Sequence, residues 1–334
     1  MKKLAAIILG ITMTMACSLT AFAVPGGSAD QQTAKFTVYY KSVNNGSKPE
    51  ETFTFSEFTK VGVTDAGVGA DGAVVTVDTM PSIDKIESVK LNGGTAESQG
   101  EAIIKLPEFP AVGVYTYSFY QEVGKTAGVE YYKDDTKQDM KLVVTVVENG
   151  GKKTVAAVHV ENKDNGDDKT GKITNLYKSG SLAVTKNVTG NLGDKSKYFS
   201  VDVTFTPKQG ETINSIITYS GGSKSPQVQN VNGNKVTIEL KDGETVNFSN
   251  IPEGTTWTVT EKDYTSEKYE SAKYSKQTDA IAAGDADTSV ITNHKEMAID
   301  TGIGLDSLPY ILIVAGVLLV GFTLFFLKRR NKDI

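Results

Sequence analysis

Through most of this 334-residue chain, apolar and polar residues alternate one by one. Phe36-Thr37-Val38-Tyr39-Tyr40 puts Phe36, Val38 and Tyr40 on one face, the period of a strand packed on a core. The alternation returns at Phe53-Thr54-Phe55 and in residues 113–119, 141–147 and 155–160. Further along it marks residues 181–186, 199–205, 213–219, 235–240, 245–248, 256–261 and 290–293. Gly, Asn and Asp clusters separate these runs, as turns require. The Gly/Asp/Val-rich stretch 61–77 reads as a solvated meander, since Asp65, Asp71 and Asp78 lack the spacing of a calcium loop. No stretch between residues 24 and 297 carries a helical period. Two runs do not alternate at all, residues 4–16 and 309–327. The second is about 19 residues without a charge, or roughly 28 Å as a helix, enough to cross a bilayer core.

The tripeptides Ile173-Thr174-Asn175 and Ile291-Thr292-Asn293 each close one half of the chain, which reads as a degenerate internal duplication. The expected fold class is therefore all-β: two tandem immunoglobulin-like β-sandwich domains, residues 30–177 and 178–297. Residues 1–23 read as a signal peptide, with Lys2 and Lys3, an apolar stretch and Ala21-Phe22-Ala23 before the cleavage point. The single cysteine, Cys17, lies inside it, and Thr14-Met15-Ala16 lacks the leucine of a lipobox. The exported chain thus has no disulfide available, and any covalent staple must be of another kind. A formal charge of −5 argues against a nucleic-acid partner. His159 and His294 are the only histidines, too few for a metal cluster or a histidine-based catalytic set. No metal, cofactor or enzyme activity is expected.

Residues 298–334 combine a short motif (298–302), the apolar run read as a transmembrane helix (309–327) and a basic tail (328–334). Lys328, Arg329 and Arg330 keep that tail cytoplasmic. This order resembles the sorting signal of Gram-positive surface proteins, in which a sortase cysteine cuts between Thr and Gly and passes the Thr carbonyl to an amine. The resemblance implies cleavage between Thr301 and Gly302. The usual motif is Leu-Pro-x-Thr-Gly, whereas this chain has Ala298-Ile299-Asp300-Thr301-Gly302. That departure implies a dedicated sortase rather than a housekeeping one.

Three polar residues of the second half occupy inward strand positions. Lys186 continues the face of Leu182 and Val184, Glu261 that of Trp257 and Val259, and Asn293 that of Ile291. Each alone could sit at a strand end and turn to solvent; unpaired burial would be costly. Together they suit an intramolecular isopeptide bond. Burial favours a neutral, nucleophilic Lys186 amine and a protonated Glu261, which polarises the Asn293 carboxamide and shuttles protons. Attack on Cγ expels ammonia, and packing supplies the effective concentration.

Leu182-Ala183-Val184-Thr185-Lys186-Asn187-Val188, Lys241-Asp242-Gly243-Glu244 and Val259-Thr260-Glu261-Lys262-Asp263-Tyr264 resemble streptococcal backbone pilins of the T-antigen type. So do Asp194-Lys195-Ser196-Lys197 and Ser266-Glu267-Lys268-Tyr269. The resemblance implies a Lys186–Asn293 bond with Glu261 as its acid. In the first domain the same matching puts Tyr40 at the lysine position and Gln121 at the glutamate position, with Asn175 alone retained. Lys41 and Glu122 fall one residue late, on the opposite strand face. No bond is expected there. The resemblance also implies head-to-tail polymerisation through a lysine near the end of the first domain; of Lys163, Lys169 and Lys172, Lys169 matches best.

The expected function is a structural backbone subunit of a sortase-assembled pilus, on a wall-anchored fibre. Its partners would be a pilin-specific sortase, further copies of itself, peptidoglycan or a basal pilin, and minor pilins. The rival reading is a monomeric wall-anchored adhesin for a host ligand.

Overall fold

The computed structural model describes residues 30–132, 140–162, 171–298 and 308–330. The signal peptide, Lys169 and Thr301-Gly302 lie outside these residues. The first domain holds β1 (Thr33–Ser42), β2 (Glu51–Phe53), β3 (Thr59–Thr64), β4 (Val89–Leu91), β5 (Ser98–Lys105), β6 (Gly113–Phe119), β7 (Val129–Glu130), β8 (Met140–Asn149), β9 (Lys152–Asn162) and β10 (Lys172–Tyr177). The second holds β11 (Ser179–Thr189), β12 (Phe199–Thr206), β13 (Thr218–Gly221), β14 (Ser225–Asn230), β15 (Lys235–Leu240), β16 (Thr245–Pro252), β17 (Thr256–Glu261), β18 (Lys273–Tyr274), β19 (Thr278–Ala280) and β20 (Ala286–His294). A helix, α1 (Leu308–Arg330), covers the apolar run near the C-terminus.

Each domain is a two-sheet sandwich in which the first and last strands lie side by side and parallel. In the first, the sheet order is β5-β1-β10-β7 over β3-β6-β8-β9, with β2 and β4 forming a separate pair. In the second it is β14-β13-β16-β11-β20-β18 over β15-β12-β17-β19. The alternation dictates these faces: β1 buries Phe36, Val38 and Tyr40, and β17 buries Trp257, Val259 and Glu261. One core is built on Phe36, Phe53, Phe55, Tyr115, Tyr117 and Phe119, the other on Val201, Val203, Phe205, Phe248 and Trp257.

Two stretches differ from the alternation. Residues 213–217 are not strand, and β13 begins only at Thr218; Ile216 is exposed while Ile217 is buried, so the run turns at the domain junction instead of joining a sheet. In the 61–77 stretch only β3 pairs, with a bulge at Val61, and the remainder is loop closed by a single bridge between Val68 and Val74. Bulging an edge strand interrupts the flat ladder that another strand could join.

Between the sandwiches only Lys178 separates β10 from β11. Its N–H donates to Gly128 O (2.8 Å), and Glu253 N–H donates to its carbonyl (3.0 Å). Gly128 sits at φ +77°, and a Cβ there would meet Lys178 O at 2.6 Å and Pro252 at 2.9 Å, so the approach requires glycine. Elsewhere at the junction Thr212 exchanges backbone hydrogen bonds with Lys125 (2.7 Å) and Ala127 (2.9 Å). Asn250 accepts Ser47 N–H at 3.0 Å and donates to Ser47 O at 2.9 Å. Its own φ of +61° is left-handed, tolerated by Asn far better than by Ala. Asn250→Ala should therefore cost about 1–3 kcal/mol, read as a lower urea midpoint with unchanged slope. Broadening of the solution scattering envelope should accompany it; an unchanged envelope would show that the clamp does not set domain orientation.

Candidate functional site

In the second domain β11 and β20 run parallel with Lys186 opposite Ile291 and Val188 opposite Asn293. Lys186 thus lies two residues before the partner of Asn293, and both side chains enter the sandwich. The loop that crosses from β15 in one sheet to β16 in the other fixes the backbone of Lys186: its N–H donates to Glu244 O (2.9 Å), and its carbonyl accepts Gly243 N–H (2.9 Å). Asp242 of the same loop accepts Val188 N–H at 2.7 Å.

Lys186, Glu261 and Asn293 are brought together in the interior, with their exposures 1%, 8% and 1%. Lys186 Nζ donates to Asn293 Oδ1 and stands 3.3 Å from Glu261 Oε1. Neither Glu261 oxygen makes a hydrogen bond of good geometry, so the carboxyl lies close to both partners without being tied to either. The face of Phe199 lies 4.4 Å from Nζ, and Tyr264 and Tyr269 pack edge-on against that ring. This apolar wall excludes water. Burial pushes the Lys186 ammonium down, opposed by the Glu261 charge and, more weakly, by Asp242. Burial likewise pushes the Glu261 carboxyl up, opposed by Lys186 and Asn293. Both shifts favour the uncharged forms, a free amine beside a protonated acid.

The first domain assembles a different set. Tyr40 pairs directly with Asn175 in the parallel β1–β10 ladder, without the two-residue offset of the second domain. Asn175 is fully buried; its Oδ1 accepts Gln121 Nε2 (2.6 Å) and Tyr132 N–H (2.7 Å), and its Nδ2 donates to Gln121 Oε1 (3.2 Å). Two carboxamides in reciprocal contact hold the strands without any acid or amine. The buried Tyr40 hydroxyl has no hydrogen-bond partner among the described residues. Lys41 and Glu122 point outward, in ion pairs with Glu97 (2.8 Å) and Lys85 (3.2 Å).

Several contributors were not singled out from the alternation. Lys48 is buried in a loop outside any strand, where its Nζ donates to the carbonyls of Gly94 and Ala96 and lies 5.3 Å from the Tyr40 ring. Phe199 opens the alternating run 199–205, which does not mark it as the wall beside Lys186, and Tyr274, whose hydroxyl accepts Glu261 N–H, carries no periodic signal. Among the described residues no group of His, Cys, Asp and Glu could hold a metal ion.

A family model described as a domain of unknown function (DUF7601) matches residues 180–295, the second sandwich. Over 91% of this chain and 97% of its own length, a Streptococcus pyogenes serotype M1 protein named pilin is 28% identical. The pilus tip adhesin Cpa of Streptococcus pyogenes is 30% identical over 37% of this chain, spanning 18% of that protein. The crystal structure of the major pilin from Streptococcus pyogenes covers 80% of this chain and all of its own, with a TM-score of 0.55 at 23% identity. That likeness shows the two-sandwich all-β fold.

Proposed function

We propose that this chain is a structural backbone subunit of a covalently assembled Gram-positive pilus, stabilised by a self-formed Lys186–Asn293 isopeptide bond. The carrying observation is the dry assembly of amine, acid and carboxamide between the first and last strands of the second domain. The neutral Lys186 amine attacks Asn293 Cγ. Protonated Glu261 gives its proton to the departing amide nitrogen, which leaves as ammonia, and regains one from the attacking nitrogen. One C–N bond forms, one breaks, and the acid returns to its starting state. Strand packing holds the reacting atoms together, so no further cofactor is needed.

The same reading extends to the ends of the chain. Residues 1–23 would direct export, and α1 would cross the membrane in the precursor; none of its described side chains is buried against the rest of the protein. A pilin-specific sortase would cleave between Thr301 and Gly302 and join Thr301 to Lys169 of the next copy, with peptidoglycan or a basal pilin receiving the last subunit. The local likeness to a tip adhesin favours the monomeric adhesin as the rival.

Two measurements test the proposal. Residues 24–301 should weigh one ammonia less than the sequence mass (about 17 Da), and Glu261→Ala should restore the full mass. Wall extracts should give a ladder of high-mass species that collapses to monomer in Lys169→Ala. Full mass in the parent protein removes the isopeptide chemistry, and a single anchored band removes the polymer. A ladder that persists, with Lys163 or Lys172 in the branched peptide, reassigns the linkage.

A further inference from the structure

Resting on the reading of Lys186, Glu261 and Asn293 as a self-cross-linking set, we propose that Tyr274 is the positioning residue that holds Glu261 between the two reacting side chains. Glu261 is the last residue of β17. On one side its strand pairs with β12, Glu261 opposite Val201. On the other side the partner strand β19 covers only Thr256, Trp257 and Thr258. Val259 N–H is still met by Gln277 O at 2.9 Å. Two residues on, no backbone group remains to receive Glu261 N–H. Left unpaired beside a buried carboxyl, that N–H would be costly, and the strand end would fray.

Tyr274 fills the gap. Its hydroxyl oxygen accepts Glu261 N–H at 2.8 Å. Its backbone belongs to β18 in the facing sheet, paired opposite Ile291 of β20, two residues before Asn293. One half-buried side chain therefore ties the end of the acid strand to the strand that carries the carboxamide. The ring packs against the second-domain core, which sets the reach of the hydroxyl. Carboxyl oxygens with no well-formed hydrogen bond of their own depend on their backbone for placement. A displacement of about 1 Å at a reacting group costs up to 100-fold in rate.

Tyr219 supplies the matched comparison. Its hydroxyl also makes one second-domain hydrogen bond, to Gln229 Oε1 at 2.8 Å, but on β13, two strands away from β11 in the same sheet. Both phenylalanine variants delete one hydroxyl and keep the ring. In residues 24–301 made by cell-free synthesis, intact mass is followed at timed points, with circular dichroism and urea midpoints recorded on the same samples. Tyr274→Phe should slow the loss of ammonia about 10- to 100-fold and reach the same final mass, while Tyr219→Phe loses comparable stability and reacts at the parent rate. If Tyr274→Phe reacts as fast as the parent, or if both variants slow equally, Tyr274 has no positioning role. A parent protein that never loses ammonia overturns the underlying cross-link instead, an outcome legible without either variant.

Discussion

Asn293→Ala is expected to lower the melting temperature of the second domain by about 15–25 °C, from a loss of about 4–5 kcal/mol. The bond would join residues 107 apart in sequence. Deleting it releases a loop of nearly the whole domain, and the chain-entropy description of a cross-link puts the loss at that size. The substitution leaves Lys186 beside Glu261, so the buried amine keeps a partner. Glu261→Ala also blocks the reaction and takes away the carboxyl 3.3 Å from Lys186, leaving its buried amine only the neutral acceptors Asn293 Oδ1, Asn187 O and Ile291 O, which adds about 1–3 kcal/mol. The two variants should therefore melt in the order parent, Asn293→Ala, Glu261→Ala. Calorimetry with intact mass on the same samples checks this. An Asn293→Ala protein that melts within 2–3 °C of the parent, about the effect of an ordinary surface change, would show that the bond contributes little.

The second large effect runs the other way. Tyr40→Lys combined with Gln121→Glu should install a bond in the first domain, giving a second loss of ammonia and a gain of about 4–5 kcal/mol. Asn175 is already buried, with Tyr132 N–H on its carbonyl oxygen to draw charge from Cγ. Glutamate at position 121 would inherit the direct contact that Gln121 makes with it. Lysine at 40 would replace a ring whose buried hydroxyl has no hydrogen-bond partner among the described residues, in a position paired with Asn175. Val38→Lys with Gln121→Glu imitates the two-residue offset of Lys186 and serves as the comparison. Reaction there, and not at position 40, would mean that offset governs reactivity. Loss of a single ammonia in both would show that the first-domain pocket cannot support the chemistry.

The strand faces were legible because a half-buried strand has a period of two and this chain follows it closely. Phe36-Val38-Tyr40 and Trp257-Val259-Glu261 declare their inward sides without ambiguity. The buried Lys186, Glu261 and Asn293 followed from the same rule, as three polar residues on faces that should be apolar. Register between strands left no such trace. Nothing in Ile173-Thr174-Asn175 against Ile291-Thr292-Asn293 says that one asparagine faces Tyr40 while the other is offset from Lys186. Pairing is a property of two strands, and alternation describes one. Lys48 and Tyr274 were hidden for a related reason. The first lies in a loop, the second in a strand of two residues, and neither segment is long enough to show a period.

The single-residue connection at Lys178 has a consequence for elasticity. In the proposed fibre, a junction closed by the Gly128 and Asn250 contacts would leave each subunit no internal joint, and bending would be taken up where one copy meets the next. Such a filament would behave as a string of stiff segments, each two sandwiches long, with compliance concentrated at evenly spaced points. Its contour would follow the number of subunits, and its persistence length the properties of the link between them.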